Sequence, residues 1–310
     1  MNFAGTLPVF IVINLLTVCV KCEFSVMSVL SSGFNKVSKI IQNVECNFVE
    51  CCTTEYISAD IDKLDDILNK ELFGQEIAHR VIINALYGHL TSSNPPKALT
   101  MSFHGPPGTG KTYISQLIAK LLYKNGDQSK FYHFFNGRND FPLQEKVNEY
   151  KEELYKIIIN SLQKCERSMF VFDEVDKMPE GSSRITQRLL TLWGEGKQRR
   201  TTKLQDFENL ISIGAFNEKG GFYHSDTIDS SVIDHYVPFL PLEEVHVKKC
   251  LEKAFLNRGV HPTNDMIEEG LSYVVFGPPP HNIYATKGCK RLEQKVAAIV
   301  YANKKTKIEF

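Results

Sequence analysis

Hydrophobic and polar positions alternate in regular patterns from residue 60 onward. Between residues 143 and 162, apolar side chains recur about every 3.6 positions, which predicts one long helix. Short apolar runs before and after this helix predict buried strands, at Leu99 to Phe103, Phe131 to Phe135 and Met169 to Phe172. Further helical patterns flank these runs, at Asp60 to Glu71 and Tyr113 to Tyr123. Because strands and helices alternate, the pattern favours an α/β fold with a parallel sheet covered by helices on both faces.

The C-terminal part of the chain shows helical patterns only. Residues Glu243 to Asn257 and Asp265 to Val275 each predict a helix. The sequence GPPP at Gly277 to Pro280 interrupts them before a last helical segment. This part therefore predicts a small helical unit at residues 243–310, following an α/β unit at 60–242.

The N-terminal segment is apolar from Leu7 to Val20, with Lys21 after it. It is too short for a comfortable transmembrane helix, which needs about 20 residues. It is typical of a signal-peptide core with a candidate cleavage site before Glu23, although no basic residue precedes the core. We therefore expect a signal peptide at 1–22 and a separate cysteine-bearing segment at 23–59. The alternative is an uncleaved anchor at the membrane interface.

Composition narrows the functional class. The chain has 310 residues, 43% of them hydrophobic, and a formal net charge of zero. No global basic field draws it to nucleic acid, so we expect no nucleic-acid partner. Of its eight cysteines, Cys46, Cys51 and Cys52 crowd one short stretch. We expect disulfides in an oxidising compartment, with pairings that the sequence leaves open, and no zinc site.

A phosphate-binding motif follows the first predicted strand. The sequence GPPGTGKT fits G-x-x-x-x-G-K-[ST] at every fixed position and opens a helix. Its residues are Gly105, Pro106, Pro107, Gly108, Thr109, Gly110, Lys111 and Thr112. Backbone N–H groups of such a loop surround phosphates at a helix N-terminus, where negative charge is stabilised. We expect Lys111 to reach the β- and γ-phosphates of ATP and Thr112 to hold Mg²⁺.

An acidic pair ends the third predicted strand. Asp173 is expected to bind Mg²⁺ together with Thr112, directly or through water. Glu174 is expected to orient and deprotonate the attacking water as a general base. Together with the phosphate-binding loop, this pair indicates an ATPase that needs Mg²⁺.

Several segments together resemble the torsins, which are AAA+ ATPases of the endoplasmic reticulum lumen and nuclear envelope. The resemblance covers nearly everything from Cys46 onward, in the segments LFGQEIAHRVIINAL, GPPGTGKT, FVFDEVDKM, GFYHSDTIDSSVIDHYVPFLPLE and KGCKRLEQK. It implies a P-loop AAA+ domain with a small helical lid and a role in protein or membrane remodelling. Thr112 departs from the Asn found in many torsins and is the ordinary ligand for Mg²⁺.

The resemblance also assigns residues in the lid and a partner. Gly288, Cys289 and Lys290 match the torsin sensor-2 motif. The resemblance implies that Lys290 contacts the γ-phosphate side and that Cys289 is a redox reporter of the nucleotide state. No Arg or Lys occurs between Ser225 and Val247, where related ATPases carry an arginine finger. Torsins receive this arginine from the luminal domain of a membrane-bound activator of the lamina-associated polypeptide type, and a homo-oligomer is also compatible with the family.

One family segment is absent from this chain. Torsins carry a helix and a strand, ending in a polar sensor-1 residue, between the Asp-Glu strand and the helix of Trp193. Such a crossover needs a dozen or more residues, and Met178 to Ser183 cannot hold it. The join lies near Ser183–Arg184, as if an exon had been skipped or mispredicted. The strands on either side would lose their partners, at about 1–3 kcal/mol for each buried unpaired group. We expect them either to pair directly or to leave the chain poorly folded.

Three functional hypotheses follow. The first is a torsin-like luminal ATPase that hydrolyses ATP with its activator. The second is an interaction protein that binds nucleotide without hydrolysing it, because the sensor-1 strand is missing. The third is a cytosolic Clp-like ATPase with a hydrophobic N-terminal arm. Leu210 to Phe216 with Asn217 offers a substitute sensor strand, but the spacing of Leu204, Phe207 and Ile211 favours a helix there.

Overall fold

The structure is a computed structural model that describes residues 9–13, 46, 49–58, 60–174, 180–217 and 233–306. Its strands are β1 (Val9–Ile13), β2 (Leu99–His104), β3 (Tyr132–Asn136), β4 (Met169–Asp173), β5 (His235–Pro238), β6 (Phe276–Gly277) and β7 (Tyr284–Ala285). Its α-helices are α1 (Ile61–Glu71), α2 (Glu76–Thr91), α3 (Lys111–Leu122), α4 (Val147–Lys164), α5 (Glu180–Gly194), α6 (Glu208–Asn217), α7 (Glu244–Leu256), α8 (Asn264–Ser272) and α9 (Leu292–Thr306).

The main sheet has five strands in the order β3-β4-β1-β2-β5. The outer pairs, β3 with β4 and β2 with β5, are parallel. Helices α1, α2 and α3 pack against the sheet, as the alternating pattern predicts for an α/β fold. The fold class predicted from the sequence is therefore confirmed.

The centre of the sheet differs from the expectation. We expected β2 and β4 either to pair directly or to leave the chain poorly folded. Instead, β1 lies between them and is antiparallel to both, with Ile11 opposite Met101 on one side and Val171 on the other. The strand comes from the apolar segment in which the sequence predicted a signal peptide. The rest of that predicted peptide lies outside the described residues.

A first core forms between the main sheet and its helices. Asp60 begins α1 as predicted, because its side chain accepts a hydrogen bond from the backbone N–H of Lys63 at 2.9 Å. The apolar faces of α1, α2 and α3 then meet the buried strands. Fully buried members of this core are Leu64, Leu68, Ile82, Leu86, Met101, Phe103, Ile114, Ile118 and Val171.

The C-terminal helices form a second, separate core. Helices α7, α8 and α9 bury Leu251, Phe255, Ile267, Leu271, Val296 and Ile299 against one another. A third cluster joins α5 and α6 to the end of β5, through Ile185, Leu189, Phe207, Ile211 and Leu240. The side chain of Gln75, at the start of α2, fixes this end of β5 by exchanging two hydrogen bonds with the Leu240 backbone, at 2.7 and 2.8 Å.

The segment offered as a substitute sensor strand is helical. A short 3₁₀ turn at Leu204–Asp206 leads into α6, which ends at Asn217. Phe207 and Ile211 are buried in the third cluster. The helical interpretation is confirmed, and the substitute strand is wrong because the buried side chains recur with helical spacing.

Three disulfides connect described cysteines. Cys46 pairs with Cys51, and Cys52 pairs with Cys165 at the end of α4. Cys250 of α7 pairs with Cys289. The crowded N-terminal cysteines thus form disulfides, as expected, while Cys19 and Cys22 lie outside the described residues.

Candidate nucleotide-binding site

The phosphate-binding loop connects the end of β2 to the start of α3. Gly110 is the residue immediately before α3 and adopts a positive φ of 106°. Gly108 has φ of 72°, and a Cβ atom there would lie 2.0 Å from the carbonyl oxygen of Lys287. Only glycine fits at that position, because both the backbone conformation and the close approach exclude a side chain. The loop is therefore shaped by its own glycines and by the lid.

Lys111 lies across the mouth of the loop. Its Nζ donates hydrogen bonds to the carbonyl oxygens of Gly105 and Pro106, both at 2.8 Å. The hydroxyl of Thr109 also donates to the Pro106 carbonyl, at 2.8 Å. The ammonium group is thus held at the N-terminus of α3, where a phosphate would find both a cation and backbone N–H groups.

Thr112 and Asp173 meet at the boundary between α3 and β4. The Thr112 hydroxyl donates to Oδ2 of Asp173 at 2.7 Å, and the other carboxylate oxygen accepts from the Glu174 N–H at 2.9 Å. A hydroxyl and a carboxylate are hard oxygen ligands of the kind that Mg²⁺ prefers. The predicted metal ligands are therefore adjacent in space although 61 positions separate them, and their chemistry fits Mg²⁺.

Glu174 lies beside a cation that sequence reasoning missed. Oε2 of Glu174 is 3.6 Å from Nε of Arg138, and both side chains are about half exposed. Arg138 follows β3, the parallel neighbour of β4, so the ends of both strands lie at the same edge of the sheet. A cation just after a predicted strand was the available signal, but it is a weak one without knowledge of strand order.

The Gly-Cys-Lys segment of the lid lies directly on the phosphate-binding loop. The backbone N–H of Cys289 donates to the Gly108 carbonyl at 3.0 Å. A Cβ atom on Gly288 would lie 2.3 Å from the same carbonyl oxygen. Lys290 follows immediately and lines the same cleft. The structure thus brings together the two motifs that the sequence places about 180 residues apart.

Cys289 is not an isolated buried thiol. It forms a disulfide with Cys250 of α7, with a Cα–Cα distance of 6.2 Å. The bond ties the segment on the phosphate-binding loop to the helix that supplies another wall of the cleft. Cys250 was not singled out by sequence reasoning, because its spacing from Cys289 follows no motif.

The cleft between the loop and the lid has a volume of about 640 Å³. Glu71 on its rim accepts hydrogen bonds from the Tyr113 hydroxyl, at 2.7 Å, and from Lys253 of α7. Burial alone would raise the pKa of Glu71, but the hydrogen bonds from Lys253 and Tyr113 outweigh it and lower the pKa. This ionised carboxylate links α1, α3 and the lid around the cleft, and no sequence motif predicts this contact.

His104 is buried at the end of β2, one residue before the loop. Its Nε2 lies 2.6 Å from the hydroxyl oxygen of Ser102. Burial, and secondarily the charge of Lys111, lower the pKa of His104 to about 3. The imidazole is therefore neutral at physiological pH, and it adds no positive charge to the site.

No polar residue of β1 stands at the catalytic end of the sheet. Val9, the first residue of β1, lies opposite Phe103, and Phe10 lies opposite Phe172. Asn217, the substitute sensor residue, ends a helix and does not end a strand. Within the described residues, the central strand therefore supplies no side chain equivalent to a sensor.

Comparisons with known proteins agree with this geometry. A family model described as Torsin matches residues 46–172. A "Torsin-like protein" of Drosophila melanogaster is 35% identical over 297 residues, which cover 84% of this chain and 87% of the relative. A "Torsin-like protein" of Caenorhabditis elegans is 31% identical over 287 residues, which cover 81% of each chain.

A P-loop, an adjacent Asp-Glu pair and a helical lid on the loop define an ATPase of the AAA+ type. The likeness to curated relatives extends over most of both chains, well beyond the loop itself. The chain belongs to the torsin family.

Proposed function

We propose that this chain binds ATP with Mg²⁺ between the phosphate-binding loop and the lid, as a member of the torsin family in the lumen of the endoplasmic reticulum and nuclear envelope. The observation that carries the proposal is the contact between Cys289 and Gly108. Lys290 follows Cys289 and lines the same cleft as Lys111, which supports the proposal that phosphates bound by the loop would also meet a cation of the lid.

The residues of the loop side have distinct roles in this proposal. Lys111 would leave its carbonyl partners to bind the β- and γ-phosphates. Thr112 and Asp173 would hold Mg²⁺, which neutralises phosphate charge when bound. Glycine N–H groups of residues 105–112 would surround the phosphates. None of these groups has to travel far, because all lie within one loop and the strand end beside it.

The remaining residues act on water and on the terminal phosphate. Glu174 would orient the attacking water and accept its proton. Lys290 would bind the γ-phosphate side from the lid. Cys289 would make this contact sensitive to reduction, because its disulfide with Cys250 holds the segment in place.

Turnover by the family would serve protein or membrane remodelling and would need groups from another protein. We propose an activator with a luminal domain of the lamina-associated polypeptide type as the source of the arginine finger. The alternative is a homo-oligomer, in which a second copy of this chain lies beside the same cleft in place of the activator.

A second candidate function is nucleotide binding without hydrolysis. It is favoured by the position of β1, which fills the centre of the sheet with a strand that brings no polar residue to the catalytic end. In this form the chain would use ATP to fix the position of its lid and would act as an interaction protein.

Binding is tested with an ATP photoprobe in the presence of Mg²⁺. We expect Lys111→Ala to weaken labelling by about 100-fold or more, because it removes charge-assisted hydrogen bonds worth about 1.5–3 kcal/mol each. Lys120→Ala is the matched control, since Lys120 lies on the same helix and is exposed, 3.8 Å from Asp127. Equal labelling of the Lys111 variant and the parent chain would show that this cleft is not the nucleotide site.

The luminal location is supported by the three disulfides, which persist in oxidising compartments. Among the described residues, no helix is long and apolar enough to cross a membrane. We expect the full chain, translated with microsomes, to be protected from added protease until detergent is supplied. Complete digestion without detergent would favour the cytosolic Clp-like hypothesis.

A further inference from the structure

We propose that Arg199 is a positioning residue that fixes the shape of the apolar part of the cleft, where the nucleoside of ATP would bind. It bridges two backbone segments, the turn at residues 72–75 and the connection from β5 to α7 at residues 239–243. Arg199 itself does not line the cleft. The inference rests on the proposed function, because it assigns a residue to the ATP site of that proposal.

The cleft has two chemically different parts. The phosphate-binding loop and the Asp173–Glu174 pair supply N–H groups, a cation and carboxylates. The other part is apolar, with walls formed by Leu72, Phe73, Leu242, Ala254 and Leu292. A phosphate chain needs the first part, whereas the faces of a base and its ribose fit the second. Leu72 adjoins both parts, because a Cβ atom on Gly110 would lie 3.0 Å from its Cδ1 atom.

Arg199 reaches both sides of the apolar part through backbone carbonyl groups. Its Nη1 donates to the carbonyl oxygen of Pro241 at 2.6 Å, and its Nη2 donates to the carbonyl oxygen of Gly74. Phe73 is the residue before Gly74, and it lines the cleft. Leu242 is the residue after Pro241, and it lines the cleft as well. The planar guanidinium thus holds two walls in one fixed geometry, which a lysine ammonium does not reproduce.

The lid also touches the turn directly, at Gly74. This residue has φ of 67°, and a Cβ atom there would lie 2.7 Å from Cδ2 of His246, in the first turn of α7. The imidazole is itself held in place, because its Nδ1 accepts from the N–H of Glu243 at 3.1 Å. The turn and the lid therefore pack together without a side chain of residue 74 between them, and the position of one determines the position of the other.

The segment that carries Arg199 is fixed by its own hydrogen bonds. The hydroxyl of Thr202 donates to the carbonyl oxygen of Arg199 at 2.7 Å. Nearby, Nζ of Lys197 donates to both carboxylate oxygens of Asp206, at 2.8 and 2.7 Å. A residue that positions other groups has to be supported in this way, because its own movement would be passed on to the site.

Stability alone does not account for a charge at this place. The Arg199 side chain is 11% exposed, and its Nε has no hydrogen-bond partner among the described residues. Glu243 lies 3.8 Å from Nη1 and compensates part of the buried charge. Replacing a buried ionic group by an apolar side chain is often neutral or stabilising. The bridge between two carbonyl groups is therefore what the guanidinium adds to the molecule.

The test compares two ligands, Mg-ATP and Mg-tripolyphosphate, by isothermal titration calorimetry on the full chain. Inorganic tripolyphosphate has a chain of three phosphates but no nucleoside, so it reports on the phosphate-binding loop alone. Arg199→Lys keeps the charge without the fork, and Arg199→Met keeps an apolar side chain without the charge. Arg200→Lys is the matched control, because Arg200 is exposed and its Nε donates to the Gln198 side chain at 2.7 Å.

We expect both Arg199 variants to bind Mg-ATP about 10-fold more weakly than the parent chain, and Mg-tripolyphosphate within about twofold of it. The control variant should match the parent chain for both ligands. A role in general stability would weaken both ligands alike, so equal losses would overturn the proposal. Unchanged affinity for ATP would also overturn it, and so would the loss of cooperative thermal unfolding in both Arg199 variants.

The parent chain distinguishes failure of this inference from failure of the proposed function. If the parent binds tripolyphosphate as tightly as ATP, the phosphate site is upheld and the role of Arg199 at the nucleoside is wrong. If the parent binds neither ligand, the proposed function is wrong, and the inference that rests on it is wrong as well.

Discussion

The phosphate-binding wall of the cleft and the wall that carries Glu174 belong to one sheet, yet their side chains are held differently. On the first wall, Lys111 makes two hydrogen bonds to its own loop, and Gly108 lies against the lid backbone. On the second wall, the Glu174 carboxylate is about half exposed and contacts Arg138 at 3.6 Å. Exposed ion pairs of this kind contribute little to the free energy of folding, about 0–1 kcal/mol.

This difference between the two walls indicates that nucleotide binding and catalysis depend on different parts of the site. Everything that would hold phosphates comes from the loop, the adjacent strand end and the lid of this chain. What would stabilise the transition state is incomplete among the described residues, because β1 carries no polar residue to that edge. The arginine that lines the cleft, Arg138, pairs with Glu174. Since phosphoryl transfer depends mostly on positioning and charge stabilisation, the two functions can be lost separately.

The largest expected effect concerns ATP hydrolysis, at the wall of the cleft that carries Glu174. We predict negligible ATP hydrolysis by the chain alone, and still little when the luminal domain of the activator is added. Inserting a torsin-type helix and sensor strand between Pro179 and Arg184 should restore activator-dependent hydrolysis. An arginine finger alone can raise the rate by about 10³–10⁵.

The measurement is phosphate release from both chains with the activator, with Glu174→Gln in the restored chain as the blank. The two chains should bind the ATP photoprobe equally, since the phosphate-binding wall is unchanged. If the unmodified chain hydrolyses ATP as fast as the restored one, another residue supplies the sensor and our account of the catalytic wall is wrong.

The next effect concerns the pH dependence of stability, which depends on His104 beside the phosphate-binding loop. The pKa of His104 is lowered from 6.5 to about 3 by burial and by Lys111. Between these values the unfolded chain binds a proton that the folded chain does not, so stability falls as the pH decreases below 6.5. At pH 5 the loss is about 2 kcal/mol.

Thermal unfolding of the parent chain and His104→Gln between pH 7.5 and pH 5 measures this loss. His246, whose pKa is lowered to about 4, adds the same acid sensitivity to both proteins, so the difference isolates His104. His261→Gln is the control, because that side chain is exposed. If His104→Gln leaves the pH dependence unchanged, the imidazole is not held neutral as described.

The smallest effect concerns the lid. Breaking the Cys250–Cys289 disulfide should leave the phosphate-binding loop intact but loosen the segment that lies on it. We expect Cys250→Ser to weaken Mg-ATP binding by roughly 3- to 10-fold, because the lid must then be ordered during binding.

Titration of a fluorescent ATP analogue measures the affinity. The matched control is the double variant Cys46→Ser with Cys51→Ser, which removes a disulfide whose cysteines do not line the cleft. An equal loss of affinity in both variants would indicate a general effect on folding. It would contradict a specific role of the lid disulfide in nucleotide binding.

Several features of the site were readable in the sequence because they are local. The loop from Gly105 to Thr112 follows a strand and begins a helix, and both elements were predicted from periodicity. A helix from Asp60 to Glu71 was predicted in the same way, and the spacing of Phe207 and Ile211 identified another helix. Each of these conclusions depends on residues within a few turns of one another.

Contacts between distant segments could not be predicted in the same way. Arg138 meets Glu174 only because β3 and β4 are parallel neighbours, and Cys250 meets Cys289 only because α7 packs beside the Gly-Cys-Lys segment. Glu71 joins three elements around the cleft. Strand order and helix packing decide these contacts, and neither is encoded in a short pattern.

The central strand β1 shows most directly the difference between what the sequence predicts and what the tertiary structure decides. The resemblance to the torsins implied that an internal strand and its crossover are missing, because Met178 to Ser183 cannot span them. The sequence by itself determined that Leu7 to Val20 is apolar. Only the tertiary structure decided that Val9–Ile13 lies in the vacant position, because buried inner edges of β2 and β4 select whatever extended apolar segment can reach and pair with both of them.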